Sequence, residues 1–321
     1  MQNFVRRATA VVVGHAVGDA LGVPAEFSPR SYLDLHPITD MIGFGTYPVP
    51  AGTFSDDTSM SLCALEALSN GYDLERVMKN FEKWLYEGCF TQTKEAFDVG
   101  GTCESAIRRY REGVPFDRCG LDDEYSNGNG SLMRIHPFAL YLYQHANNRA
   151  NGLLPEQIDL IARASALTHA HPRAQLACVL YSFILWELLE NPCKKSVKVG
   201  LEKAKKVYEP LHFRVKERLE LARYQRLFDG MEKCSRESIK SRGYVVYTLE
   251  AAIWCLLTTD NYRDCVLNAV NLGRDTDTTA AVAGGLAGAL YGYDAIPEGW
   301  RNAVTDREYI EELCRNAFHG E

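Results

Sequence analysis

Apolar residues recur along this chain at helical intervals. After Asp73, a residue suited to capping a helix start, Val77, Phe81, Trp84 and Leu85 fall on one face at i, i+4, i+7 and i+8. Comparable stripes run through Ile158, Ile161 and Ala162, through Leu176, Val179, Leu180, Phe183 and Leu188, and through Leu249, Ile253, Leu256 and Leu257. Clusters of β-branched residues such as Val11 to Val13 and Val245 to Val246 are too short, and too embedded in helical pattern, to make a sheet. The expected fold class is therefore all-α. No linker rich in Pro, Gly or Ser divides the chain and no repeat of solenoid period occurs, so residues 1–321 are expected to form one domain. The Lys- and Arg-rich stretch 194–242 reads as an exposed, variable helical segment. What remains non-helical is 24–52, 118–130 and the junctions at 168–172 and 273–275, the kind of loop on which sites are built.

Composition narrows the possibilities. With 46% hydrophobic and 24% charged residues the chain is of globular type. A formal charge of -7 leaves no global basic field to hold a polyanion, so nucleic acid is not expected as a primary partner. Ten cysteines are scattered without CxxC or CxxH spacing and read as reduced, cytoplasmic thiols. Arg6 and Arg7 before the apolar run Ala8 to Val13 imitate an export signal. However, His15, Asp19 and the four-residue spacing of Gly14, Gly18 and Gly22 suit a buried helix better. The longest apolar run, Ala177 to Trp186, falls short of the roughly 20 residues a membrane span requires, and no membrane association is expected. A monomer is the favoured state.

Two acidic segments carry the candidate chemistry. Gly52-Thr53-Phe54-Ser55-Asp56-Asp57-Thr58 precedes a helical run through Met60, Leu62, Leu65 and Leu68, and Gly273-Arg274-Asp275-Thr276-Asp277-Thr278-Thr279 precedes another from Ala280 to Tyr291. Each is open to a purely structural reading. Ser55 and Asp275 suit helix caps, and acids in a first turn complement the helix dipole. Adjacent carboxylates nevertheless repel, and a divalent cation is one reason to keep both ionised. Together the segments offer an all-oxygen ligand set of the kind Mg²⁺ or Mn²⁺ prefers, enough for two ions. Gly14, Gly18 and Gly22, matched by Gly284, Gly288 and Gly292, would let two helices approach closely. Each glycine costs a helix about 1 kcal/mol relative to alanine, which calls for a compensating contact.

The order of motifs resembles the ADP-ribosylglycohydrolase family. The residues are Gly18-Asp19-Ala20-Leu21-Gly22 with Pro24 and Glu26, Gly52 to Thr58, Gly100-Gly101-Thr102, Asn129-Gly130-Ser131-Leu132-Met133-Arg134, Thr168-His169-Ala170, and Asp275 to Ala281. The resemblance implies an orthogonal helical bundle and a hydrolase that removes ADP-ribose from a protein side chain, Arg or Ser, or from a small ADP-ribosyl conjugate. It implies that Ser55, Asp56, Asp57, Asp275, Asp277 and Thr278 hold two divalent ions, Mg²⁺ or alternatively Mn²⁺. Glu26 would face them from a mobile loop, acting with Asp56, Asp57 and Asp277 in catalysis. Asp98, Gly100, Gly101, Thr102, Asn129, Gly130, Ser131, Met133 and His169 would line the substrate cleft. Arg274 stands where the family often has glycine. Two other readings fit the acidic pairs: a two-metal hydrolase of another nucleotide or sugar phosphate, and a catalytically silent binder of ADP-ribose. For Asp19, capping the Gly18 turn and a catalytic role are equally open. His171 is expected at the surface, and Tyr125, Phe97 and Phe138 in the core unless one stacks on adenine. Cys103 lacks a visible base and is given no nucleophilic role.

Overall fold

A computed structural model describes residues 2–210 and 213–319, and among them no β-strand occurs. Sixteen α-helices follow in order. They are α1 (Gln2–Gly22), α2 (Arg30–Leu33), α3 (Asp56–Leu68), α4 (Leu74–Glu87), α5 (Gly101–Arg111), α6 (His136–Gln144), α7 (Pro155–Ala166) and α8 (Pro172–Glu190). The second half adds α9 (Lys195–Val207), α10 (Val215–Glu220), α11 (Gln225–Asp229), α12 (Val245–Thr258), α13 (Tyr262–Val270), α14 (Thr276–Tyr291), α15 (Glu298–Ala303) and α16 (Arg307–Phe318). The stripes read from sequence fall on α4, α7, α8 and α12, and Asp73 caps α4 by accepting from the Arg76 N–H at 3.1 Å. The all-α expectation holds.

The centre of the bundle is an antiparallel seam between α1 and α14. A methyl group added at Gly18 would lie 2.1 Å from the carbonyl oxygen of Ala280, at Gly14 2.6 Å from that of Gly284, and at Gly288 2.1 Å from that of Ala10. Backbone therefore touches backbone, and no side chain larger than hydrogen fits. At the end of the seam Gly22 meets the Cα of Asp277, where an added Cβ would be only 2.3 Å away, so the same crossing sets the position of an acidic residue. Gly292 stands outside the ladder, contrary to expectation. It ends α14 with φ +83°, a conformation glycine adopts without Cβ strain, and an added Cβ would touch nothing.

Two further expectations need correction. The stretch Asn3–Ala25 is long and apolar enough to cross a bilayer by length and composition, because glycine and alanine carry the hydrophobic run past His15 and Asp19. It is 94% buried inside the protein, which accounts for its apolarity without a membrane. The 194–242 segment is helical but not a solvated appendage. Val197, Leu201, Ala204, Tyr208, Tyr224, Leu227 and Met231 are buried, and Gly200 packs on the backbone of Phe183 and Ile184 in α8. Its lysines hide an apolar face.

Candidate active site

Where α1 and α14 meet α3, the helix starts turn their acids toward one another. Ser55 caps α3, its hydroxyl oxygen accepting from the Asp57 N–H at 3.4 Å while the hydroxyl donates to Asp57 Oδ2 at 3.1 Å. A second cap arrives from α1. Asp19, fully buried, accepts from the Ser55 N–H at 2.9 Å, the Thr58 N–H at 3.0 Å and the Thr58 hydroxyl at 2.6 Å. It thus caps α3 from a neighbouring helix, and not its own Gly18 turn. α14 has no such side-chain cap, for Asp275 Oδ2 instead accepts from Asn129 Nδ2 at 2.8 Å. Thr278 donates to Asp57 Oδ2 at 3.3 Å, joining the two helix starts directly.

The arrangement leaves charge without partners. Glu26 Oε2, Asp57 Oδ1, Asp275 Oδ1 and Asp277 Oδ2 are buried and accept no hydrogen bond. Carboxylate oxygens of Asp19, Asp57 and Asp277 lie within 4.8 Å of one another, as do those of Glu26, Asp98 and Asp277. Burial, together with neighbouring acids, pushes Asp56, Asp57 and Asp277 well above the ordinary carboxylate range. Burial raises Asp19 and Asp275 to about 6 against the hydrogen bonds that favour their ionised forms, and burial with the charge of Asp98 raises Glu26 to about 9. Orphaned carboxylate oxygens converging on one chamber, all hard donors, fit divalent cations such as Mg²⁺ or Mn²⁺.

Above this chamber opens a cavity of about 360 Å³. Of the expected site residues, Glu26, Asp56, Asp98, Gly100, Gly101, Thr102, Asn129, Gly130, Met133, His169, Asp275 and Thr278 line it, while Ser55, Asp57 and Asp277 lie beneath. Gly100 caps α5 with no side chain, so that helix start presents bare N–H groups, and a methyl at Gly100 or Gly101 would meet nothing within 4 Å. Ser131 departs from expectation. It is fully buried, accepts from the Ser165 hydroxyl at 2.9 Å and adjoins Cys178, so its hydroxyl stands behind the wall and not on it. The loop bearing Glu26 is held by Phe27 N–H donating to the Arg274 carbonyl at 2.6 Å and by the Thr46 hydroxyl donating to the Glu26 carbonyl at 2.7 Å.

A chain of polar contacts leads from Arg134 to His169. Arg134, fully buried and stacked 4.6 Å from the Phe81 ring centroid, donates to Thr168 Oγ1 at 2.8 Å, and His169 Nδ1 lies 2.8 Å from the same oxygen. A guanidinium only donates, so Thr168 Oγ1 accepts from Arg134 and keeps one lone pair and one proton, either of which pairs with Nδ1 according to the tautomer of the ring. Burial and the Arg134 charge hold the imidazole neutral, down to about 3. His171, half-buried beside the exposed Glu124, also caps α8, with Nδ1 accepting from the Arg173 N–H at 3.1 Å. Tyr125 is 96% exposed, against the core expectation, whereas Phe138 is in the core and Phe97 packs 5.1 Å from Tyr47. Burial raises the Cys103 thiol, which keeps it protonated.

A family model described as ADP-ribosylglycohydrolase matches residues 1–321. The chain belongs to this family. It is 33% identical to an ADP-ribosylarginine hydrolase of Serratia proteamaculans over 98% of this chain and 79% of that one. It is 30% identical to the ADP-ribosyl-[dinitrogen reductase] glycohydrolase of Rhodospirillum rubrum, over 96% and 93% of the two chains. A solved structure, titled ADP-ribosylglycohydrolase-related protein complex, superposes with a TM-score of 0.78 at 29% identity, covering 99% of both chains. Family membership makes the protein a hydrolase. In this ADP-ribosylglycohydrolase, residues that sequence patterns did not single out also shape the site. The Tyr47 hydroxyl donates to Asp98 at 2.8 Å, Thr248 accepts from Asn129 at 2.9 Å, and Gly243 leaves the space beside Asp275 where an added Cβ would lie 3.0 Å from Oδ2. Only Gly243, flanked by Arg242 and Tyr244, carries a sequence signal.

Proposed function

We propose that the protein removes ADP-ribose from a modified side chain, arginine first, by hydrolysing the bond at the anomeric carbon of the distal ribose, and that it does so as a cytoplasmic monomer with two divalent ions, Mg²⁺ or alternatively Mn²⁺. The observation that carries this reading is the convergence of unpartnered oxygens of Glu26, Asp57, Asp275 and Asp277 below the cavity. Arginine comes first because the Serratia relative is named for that linkage. Ten free cysteines support a reducing compartment.

Ser55, Asp56, Asp57, Asp275, Asp277 and Thr278 would hold the ions, with Asp98 close enough to Glu26 and Asp277 to join them. Bound cations would supply Lewis-acid polarisation and offset the carboxylate charge that otherwise repels a diphosphate. The chain's own groups do the rest. The N–H groups at the start of α5 and the glycines at 128 and 130 admit phosphate oxygens closely, and His169 lines the cavity as a neutral ring. With bound cations offsetting the neighbouring acids and favouring its ionised form, Glu26 would orient the attacking water and take its proton as the oxocarbenium-like centre develops. Asn129 holds Asp275 in place, and Tyr47 does the same for Asp98.

The test is a panel of arginine-linked, serine-linked and phosphate-ester ADP-ribosyl conjugates offered to metal-stripped protein with and without Mg²⁺ or Mn²⁺. Turnover is expected only with metal. Hydrolysis that survives both EDTA and Asp57→Asn would sink the metal-dependent reading. Binding of ADP-ribose without turnover of any linkage would leave a silent binder.

A further inference from the structure

Beside the active cavity lies a second one, of about 570 Å³, with opposite electrical character. Its walls include Arg30, Lys240, Arg242, Arg274 and Tyr247. These cations are not equivalent. The Arg30 guanidinium is used internally, donating to the carbonyl oxygens of Leu272 at 2.8 Å, Arg236 at 2.7 Å and Ile239 at 2.6 Å, and so builds the wall. Nearby Arg236 is paired with Asp34 at 2.8 Å. Lys240, Arg242 and Arg274 are exposed, and among the described residues none forms an ion pair; Lys240 touches only the Tyr247 hydroxyl, at 3.1 Å, and its ring.

In a chain with seven more acids than bases, three unpaired cations around one concavity are a local inversion of the surface charge. Their location adds meaning. Arg242 is followed by Gly243 and Arg274 by Asp275, and both of those residues line the active cavity. The Arg274 carbonyl also accepts the N–H of Phe27, next to Glu26. The basic groove and the acidic chamber thus share one rim.

We propose that this groove docks an acidic segment of the polypeptide that carries the ADP-ribosyl group, an inference that rests on the function proposed above. A long polyanion such as nucleic acid would run from three cations onto a surface of net negative charge, whereas a short run of Asp or Glu beside the modified side chain would end within the groove. The unpaired cations stand at the ends of long, flexible side chains, which can meet carboxylates spaced along a peptide. Docking of this kind selects among modified proteins without touching the bond that breaks.

The test compares three substrates of one linkage on the metal-loaded protein: the free ADP-ribosylated amino acid, a peptide with the modified residue flanked by Glu, and the same peptide with Ser at those positions. At low salt the Glu peptide is expected to show a kcat/KM about tenfold above the Ser peptide, the scale of three surface ion pairs of ordinary strength. The advantage shrinks as salt rises. It disappears in Lys240→Glu/Arg242→Glu while turnover of the free conjugate is unchanged. Equal kcat/KM for the two peptides, or a preference that persists in the double variant, overturns the proposal. If the double variant does not fold, Lys240→Gln with Arg274→Gln replaces it, with a thermal melt as control. Should no conjugate be turned over at all, the function falls, and anisotropy of a labelled Glu-rich peptide judges the groove alone. Salt-sensitive binding lost in the variant then supports docking, and absence of binding overturns it.

Discussion

The α1–α14 seam and the acidic chamber are built from the same two helices, and they handle polar groups in opposite ways. Along the seam, Gly14, Gly18, Gly284 and Gly288 bring two backbones into contact whose own N–H and C=O groups are already paired inside their helices. One turn beyond, at Gly22 and Asp277, the helix ends gather acids whose oxygens lack partners. The seam gains from excluding everything, including side chains. The chamber holds groups that each cost stability when buried without a counter-charge. A rigid crossing next to an electrostatically strained site is a way to keep that strain in one place, because the acids cannot relax by moving apart when the backbones that carry them are locked.

The largest effect should come from breaking the chamber and leaving the seam. Asp277→Asn is expected to reduce ADP-ribose release to background, and yet the metal-free variant should melt no lower than metal-free wild type, since one of several repelling carboxylates has gone. A variant that loses activity only because its melting point collapses would contradict the division. The converse change is Gly18→Ala. Its methyl would sit 2.1 Å from the Ala280 carbonyl oxygen, so stability should fall by about 3 kcal/mol, read by chemical denaturation, with activity lost along with the fold.

A smaller effect tests the polar groups behind the seam. The rings of His15 and His136 lie 4.4 Å apart, and burial, then the neighbouring ring, depresses His136 well below 6.5. Unfolded chains bind a proton there near 6.5 and the native state does not, so its contribution is fully present above that pH and is lost as pH falls below it. Wild type should therefore lose stability on acidification faster than His136→Asn. Parallel curves would show that the imidazole is solvated. The smallest effect is expected at a glycine of the cavity. Gly101→Ala meets no atom within 4 Å and should change stability by less than about 1 kcal/mol, while raising KM because a methyl enters the space over the α5 start. A large loss of stability would make this glycine part of the packing, like those of the seam.

Much of this was legible from residue order. Helical stripes, the Asp73 cap, the Ser55 cap and the two acidic helix starts are local patterns, and the glycine spacing pointed to a close crossing. The misreadings share a cause. The charge of 194–242 pointed to solvent, but the segment buries an apolar face whose partner, α8, is remote along the chain, whereas the glycine spacing of the first helix had already marked it as buried. Ser131 sits in a motif whose neighbours line the cavity, yet alternate residues of a tight turn point to different sides, and Ser165 and Cys178 claim its hydroxyl.

The helices, their caps and the placing of carboxylates at two helix starts follow from residue order alone, because propensity, dipole and spacing act within a few residues. Tertiary structure decided which oxygens stay unpartnered. Asp19 became a cap only because α3 arrives 36 positions later, Asp98 turned to Tyr47, and His169 was joined to the buried Arg134 through Thr168. Hydrogen-bond partners and desolvation depend on what lies within a few ångströms in space, and for loop residues no local pattern encodes that.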